Sequence, residues 1–153
     1  VAELGPVRVE RLGGELELWA GEREAWRGAV GNPHCVFLVE DVRAGDFLAR
    51  GASLQAHQAF RGGVNVGYVA RDGADWRLRV YERGVGETQA CGTGAAVAAW
   101  ALHEGAGVPF PIDLELRGGR LRVTRVGADG AWVAGPVEHL GSLVESPATG
   151  PLE

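Results

Sequence analysis

A chain of 153 residues, 46% apolar and 23% charged, is long enough for one domain with a true core and too apolar for a disordered tail. Its net charge of −5 argues against nucleic acid as a partner, and no apolar run reaches the ~18 residues of a membrane helix. All 15 basic residues are arginine, so there is no amine for a pyridoxal-phosphate Schiff base and no phosphate-loop lysine. Two cysteines are too few for a disulfide scaffold and point to a reducing cytoplasm. The chain opens on Val1 instead of methionine, which reads as an alternative start or a piece of a longer protein.

In chain order, Val7 and Val9, then Gly13-Gly14, then Leu16 and Leu18 predict a hairpin with a two-residue glycine turn. Val36 to Val39 and Val64 to Val69 are continuous apolar strand candidates, and Trp76, Leu78 and Val80 alternate. Between them, Asp46 to His57 reads as one or two short surface helices capped by Asp46 and broken at Gly51. Gly94 to Glu104 is apolar on every side, which predicts a buried helix ended by Gly105. A second hairpin is expected from Ile112, Leu114 and Leu116 through Gly118-Gly119 to Leu121 and Val123, and Ala131 to Ala134 closes the series. The expected fold is α+β: an antiparallel, barrel-like sheet of about eight strands wrapped around one central buried helix. Residues 1–145 are expected to form the domain, and 146–153 a loose tail or a return segment to a part outside this sequence.

The chemistry concentrates in Tyr81 to Ala99. Cys91 precedes Gly92-Thr93-Gly94 and the start of the buried helix, so its thiol sits at a helix N-terminus. There the dipole and the unpaired N–H groups favour an anion, which would lower the thiol pKa and let the same turn cradle a carboxylate. The alternative is a small buried hydrophobe; the Gly-Thr-Gly context and the nearby Glu82 and Glu87 weigh against it. Gly31-Asn32-Pro33-His34-Cys35 lies at the mouth of a strand, as a turn or a site. Strand alternation turns His34 toward the site and Cys35 away from it. Asn65, between two valines, is either a site residue or an outward polar side chain. His57, His103 and His139 read as surface or capping histidines. No CxxC, HExxH or carboxylate cluster is present, so no metal is expected.

The runs ERGVGETQACGTGA (Glu82 to Ala95), GNPHCV (Gly31 to Val36) and GVNV (Gly63 to Val66) resemble, in order and separation, signatures of the C-terminal half of diaminopimelate epimerase. AWVAGPVEHL (Ala131 to Leu140) resembles that family's closing strand and loop. The likeness covers about residues 30–145 and departs at Gln58 and Arg61, where the family carries prolines. It implies a β-barrel-like domain around a central helix. It also implies cofactor-free, metal-free interconversion of LL- and meso-diaminopimelate in lysine and peptidoglycan biosynthesis.

The resemblance further implies that Cys91 is one of two acid–base thiols, with Glu82 beside it pairing with the substrate ammonium. Gly92 and Thr93 would bind the reacting carboxylate, Asn32, Asn65 and Arg83 would hold the distal amino-acid end, and His34 would assist the opposite thiol. That second thiol belongs to an N-terminal domain which nothing in these residues matches. The expected partners are therefore the substrate and that missing domain, with a homodimer as the family's usual state, and the chain alone is expected to be inactive. Two other readings stand beside it: a related proline racemase-like enzyme, and a non-catalytic binding domain of the same fold.

Overall fold

The computed structural model describes residues 2–43, 45–126 and 130–135, and every structural statement below refers to these. His139 and the tail 146–153 lie outside them. The elements in order are β1 (Ala2–Leu4), β2 (Arg8–Arg11), β3 (Glu22–Ala29), β4 (Pro33–Val39), α1 (Phe47–Leu54), β5 (Asn65–Asp72), β6 (Asp75–Glu82), β7 (Gly86–Thr88), α2 (Gly92–Ala106), β8 (Ile112–Leu116), β9 (Gly119–Val126) and β10 (Gly130–Ala134).

The expected α+β class holds, but the sheet has ten described strands, not about eight, and it is not purely antiparallel. Its order is β1-β10-β9-β8-β6-β5-β4-β3-β2, with β7 attached to β6 alone. Two pairings are parallel, β4 with β5 and β6 with β8. Parallel neighbours need a crossover, and the chain supplies one helix for each: α1 between β4 and β5, and α2 between β7 and β8. No ladder joins β1 to β2 among the described residues, so the sheet is open. Its two edges are nevertheless linked only through Gly5, Pro6 and Val7. Those residues span at most about 15 Å, so the sheet must curl strongly.

The curl wraps α2, whose residues Thr93 to Leu102 are all buried. The run of alanines lets the strands approach the helix closely. On β3, a Cβ at Gly28 would lie 2.4 Å from Val97 Cγ1, so only glycine fits beneath the helix there. The helix passes the expected stop at Gly105 and ends at Gly107. Gly107 adopts φ 70° and donates its N–H to His103 O at 3.2 Å, the left-handed exit that glycine permits.

Strand alternation separates two cores. Val36, Val69, Leu78 and Val80 face α2, whereas Cys35, Phe37, Val66 and Tyr68 face the opposite side, under Phe47 and Leu54 of α1. Helix α1 is the single helix of its segment. Gly51 does not break it, and its buried face carries Phe47, Arg50, Gly51 and Leu54.

The glycine hairpin expected at Gly13-Gly14 does not form. β2 pairs with β3 instead, and Leu12 and Leu16 turn into the second core while Leu18 stays exposed. Charged residues hid β3, whose Glu22 is buried because Arg50 pairs with it. The later hairpin forms as expected, one residue early: Leu116 pairs with Gly119, leaving Arg117 and Gly118 as the turn. No helix among the described residues is long and apolar enough to cross a membrane.

Candidate active site

Three neighbouring strands end their α2-facing rows in polar residues at one place. Val36 is followed two residues back by His34 on β4, Gly67 by Asn65 on β5, and on β6 the row Leu78, Val80 runs out at Glu82. His34 and Asn65 are direct register partners. The N-terminus of α2 arrives at the same place, because the short strand β7 returns beside β6 and hands the chain on to Cys91. His34, Asn65, Glu82, Cys91 and Gly94 line one narrow recess. The recess leaves no room even for a water molecule, so it is not by itself a ligand pocket of the usual size of roughly 300–1,000 Å³.

Cys91 is the N-cap residue of α2, in extended conformation at φ −152° and ψ 112°, and its sulfur accepts the Gly94 N–H at 3.4 Å. Thr93 Oγ1 lies 3.5 Å from that sulfur and 3.1 Å from His34 Nε2, which is also 3.2 Å from Asn32 Oδ1. A hydrogen-bonded chain thus runs from Asn32 through His34 and Thr93 to the thiol. An amide oxygen only accepts, so the tautomer protonated at Nε2 satisfies Asn32. Asn65 Oδ1 accepts the Arg83 N–H at 2.8 Å, which leaves its amide NH₂ for other partners. The Thr88 hydroxyl donates to Glu82 Oε2 at 2.8 Å.

Burial dominates the electrostatics. It pushes His34 down to about 4, so the ring is neutral near pH 7. It also pushes the Cys91 thiol above the ordinary cysteine range. The Thr93 hydroxyl opposes that rise, the Glu82 charge adds to it, and the Gly94 and Thr93 N–H groups pull back more weakly. The lowering expected from the helix N-terminus is therefore outweighed by desolvation, and the group rests as a thiol.

The structure brings Asn32, His34, Asn65, Glu82, Cys91, Gly92 and Thr93 together at this recess. Arg83 is adjacent but exposed: its Nη1 reaches Gly62 O at 3.4 Å, and it forms no ion pair among the described residues. Cys35 lies in the second core, fully buried, with its thiol pushed up to about 12 by burial. Glu87 leaves the site, held on the other face by two bonds from Arg79 at 2.8 Å each. His57 accepts the Ala59 N–H within its turn, and His103 bonds Val108 O at the end of α2. Sequence reasoning missed Thr88, although period-two alternation on a strand opposite Val80 and Glu82 would have placed it beside Glu82. Among the described residues no three His, Cys, Asp or Glu side chains gather as a metal ion would need.

Comparison with known proteins identifies the family of the chain. The family model "Diaminopimelate epimerase" matches residues 28–140. A diaminopimelate epimerase of Acinetobacter baumannii (strain AYE) is 40% identical over 112 residues, covering 72% of this chain and 40% of that protein. The diaminopimelate epimerase of Azotobacter vinelandii is 38% identical over 139 residues, covering 83% of this chain and 50% of the relative. The chain thus spans about 40–50% of the length of these curated relatives. Among solved structures, a phenazine-biosynthesis PhzC/PhzF protein from Clostridium difficile (strain 630) superposes with a TM-score of 0.51 at 19% identity, over 82% of this chain and 41% of that one. The Bacillus anthracis PhzF-family phenazine biosynthesis protein gives 0.51 at 14% identity, over 88% and 40%. At such identities the likeness concerns the fold alone.

Proposed function

The chain belongs to the diaminopimelate epimerase family, and from that premise we propose that it is the C-terminal half of such an enzyme, inverting one stereocentre of diaminopimelate by proton transfer through Cys91. The observation that carries this is the Cys91 thiol capping α2 where His34, Asn65 and Glu82 converge.

Inversion at a carbon bearing hydrogen requires one group to take the proton from one face and another to return it from the opposite face. Cys91 supplies one of them. Held as a thiol, it gives its proton to the carbon and is left as a thiolate, which takes that proton back in the reverse direction. The thiolate left behind is met by the Gly94 N–H, the Thr93 hydroxyl and the positive end of α2. Gly92 and Thr93 belong to the first turn, whose N–H groups lack intrahelical acceptors, and they receive the carboxylate next to the reacting carbon as its charge grows. Glu82 faces the substrate ammonium, Asn32 and Asn65 act as polar contacts for the far end, and Arg83 gives that end a carboxylate partner. Neutral His34, protonated at Nε2, orients the Thr93 hydroxyl toward the sulfur.

The second base comes from elsewhere. Cys35, the other cysteine, is sealed in the opposite core and reaches no substrate. The opposite wall of the cleft and its thiol therefore belong to an N-terminal domain outside these residues, and the chain alone binds weakly and does not epimerise.

The test is solvent exchange. A polypeptide carrying both halves is incubated with LL-diaminopimelate in deuterium oxide, and α-deuterium is followed by mass spectrometry. Exchange is expected from the intact protein, and Cys91→Ala is expected to slow it at least ~100-fold. No exchange from the intact protein, or unchanged exchange in Cys91→Ala, overturns the proposal.

A further inference from the structure

Strand β7 is three residues long and pairs with β6 alone, which leaves its position to side chains. Its register sets Val80 against Thr88, Tyr81 against Glu87 and Glu82 against Gly86. Alternation sends Glu87 and Thr88 to opposite faces. On the outer face Glu87 is gripped by Arg79, which also donates to Val42 O at 3.1 Å, and Arg117 approaches to 3.5 Å. On the inner face the only side-chain bond from β7 among the described residues is that of Thr88 to Glu82. Three residues further on stands Cys91.

We propose that Thr88 is a positioning residue for Glu82: its hydroxyl occupies Oε2 and so fixes the direction in which the carboxylate presents its second oxygen to the recess. The proposal rests on reading Glu82 as the group that meets the substrate. A glutamate has three side-chain torsions, and at a half-buried site a single fixed donor selects among its rotamers. No protein donor among the described residues reaches Glu82 Oε1, so that oxygen is left for a donor arriving with the ligand. Threonine suits the task because its branched Cβ restricts χ1, so the hydroxyl has a defined direction. The same bond ties the end of β6 to the strand that delivers the thiol. Glu82 and Cys91 are thereby held at a constant separation while a substrate enters.

Two measurements test this separately. In the 153-residue chain, NMR three-bond couplings of the Glu82 side chain are expected to show one rotamer in the native protein and in Thr88→Ser, and rotamer averaging in Thr88→Val. Valine keeps threonine's shape and strand preference, and the urea midpoint checks that the variant is folded. Unchanged Glu82 couplings in Thr88→Val overturn the proposal. In the polypeptide with both halves, Thr88→Val is expected to lower kcat for α-hydrogen exchange about tenfold with little change in KM, and Thr88→Ser to restore it to within about threefold. In a Glu82→Gln background, Thr88→Val should cost nothing more. Losses that multiply there, or full activity of Thr88→Val, also overturn it. Couplings that change as expected in a protein that never exchanges diaminopimelate would leave the hold on Glu82 standing and remove the catalytic reading instead.

Discussion

The two faces of the sheet bury polar groups in opposite ways. On the α1 face, Glu22 accepts from the Trp19 N–H at 2.8 Å, from Arg50 Nε and Nη2 at 2.9 and 3.0 Å, and from the Tyr68 hydroxyl. Arg50 also donates to Glu17 O at 2.7 Å, and its guanidinium lies between the rings of Trp19 and Phe37. Every strong group there is consumed by another, which makes the cluster a clamp that ties the 12–21 loop and α1 to the sheet. On the α2 face, His34, Asn65 and Thr93 are equally buried. They stand at the end of the core, where Glu82, Cys91 and Asn65 keep donors or acceptors to spare. Burial of polarity is common to both faces; unspent hydrogen-bonding capacity beside an opening is found on one, and that difference separates scaffold from site.

The sharpest way to break this contrast is to remove half of the clamp. Arg50→Ala leaves Glu22 charged and without its main partner in a dry core, which typically costs about 3–5 kcal/mol. Urea denaturation should show that loss. The fraction still folded should keep Cys91 as reactive toward an alkylating agent as in the native chain, because no clamp residue touches the recess. A loss under 1 kcal/mol would mean that the clamp is not what holds α1. A changed Cys91 reactivity would mean that the faces are not independent.

His34 provides the next test, from the site face. Its ring titrates near 4 in the folded chain against an ordinary 6.5. Between those values the unfolded chain binds a proton that the folded chain refuses. Stability is therefore full above about pH 6.5 and falls as the pH drops toward 4, by up to ~3 kcal/mol. In His34→Gln that slope should be absent. The opposite core has the mirror-image behaviour at high pH: Cys35 titrates near 12 folded and near 9 otherwise, so its contribution fades as pH rises from 9 to 12. A urea midpoint that does not move between pH 6.5 and 4 in the native chain would show that His34 is hydrated in solution.

These contrasts explain which parts of the molecule were legible in the sequence. Helix α2 was plain because ten small or apolar residues in a row have no other place to go, and the thiol at its start followed from the Gly-Thr-Gly turn. His34 was separable from Cys35 because strand alternation is a local rule. Strand β3 was not visible, since its sequence EREAWRGA is charged and its burial depends on Arg50, 28 positions away from Glu22. The first glycine pair misled for a related reason: Leu12 and Leu16 answer to the second core, not to a hairpin of their own. Parallel pairing was likewise invisible, because it depends on where two helices cross. Within the site, the direction of the Cys91 shift depended on how deeply the whole fold buries the sulfur, a quantity that no motif contains.

The two helix caps carry the smallest expected effect. Asp46 caps α1 through a carboxylate oxygen that accepts the Ala49 N–H at 3.0 Å, whereas α2 is capped by a sulfur accepting at 3.4 Å. Oxygen is the stronger acceptor, and aspartate and serine rank among the best N-caps, so a cap selected for stability would not be cysteine. Asp46→Ala should therefore lower stability by about 1 kcal/mol, and Cys91→Ala by clearly less. Cys91→Ser, which places an oxygen where the sulfur was, should leave stability equal or raise it by a few tenths of a kcal/mol. If Cys91→Ser instead destabilises the chain as much as Asp46→Ala does, the sulfur is there for packing. If it does not, the longer and better-buried helix tolerates the weaker cap, and what the cysteine contributes at that position is its proton.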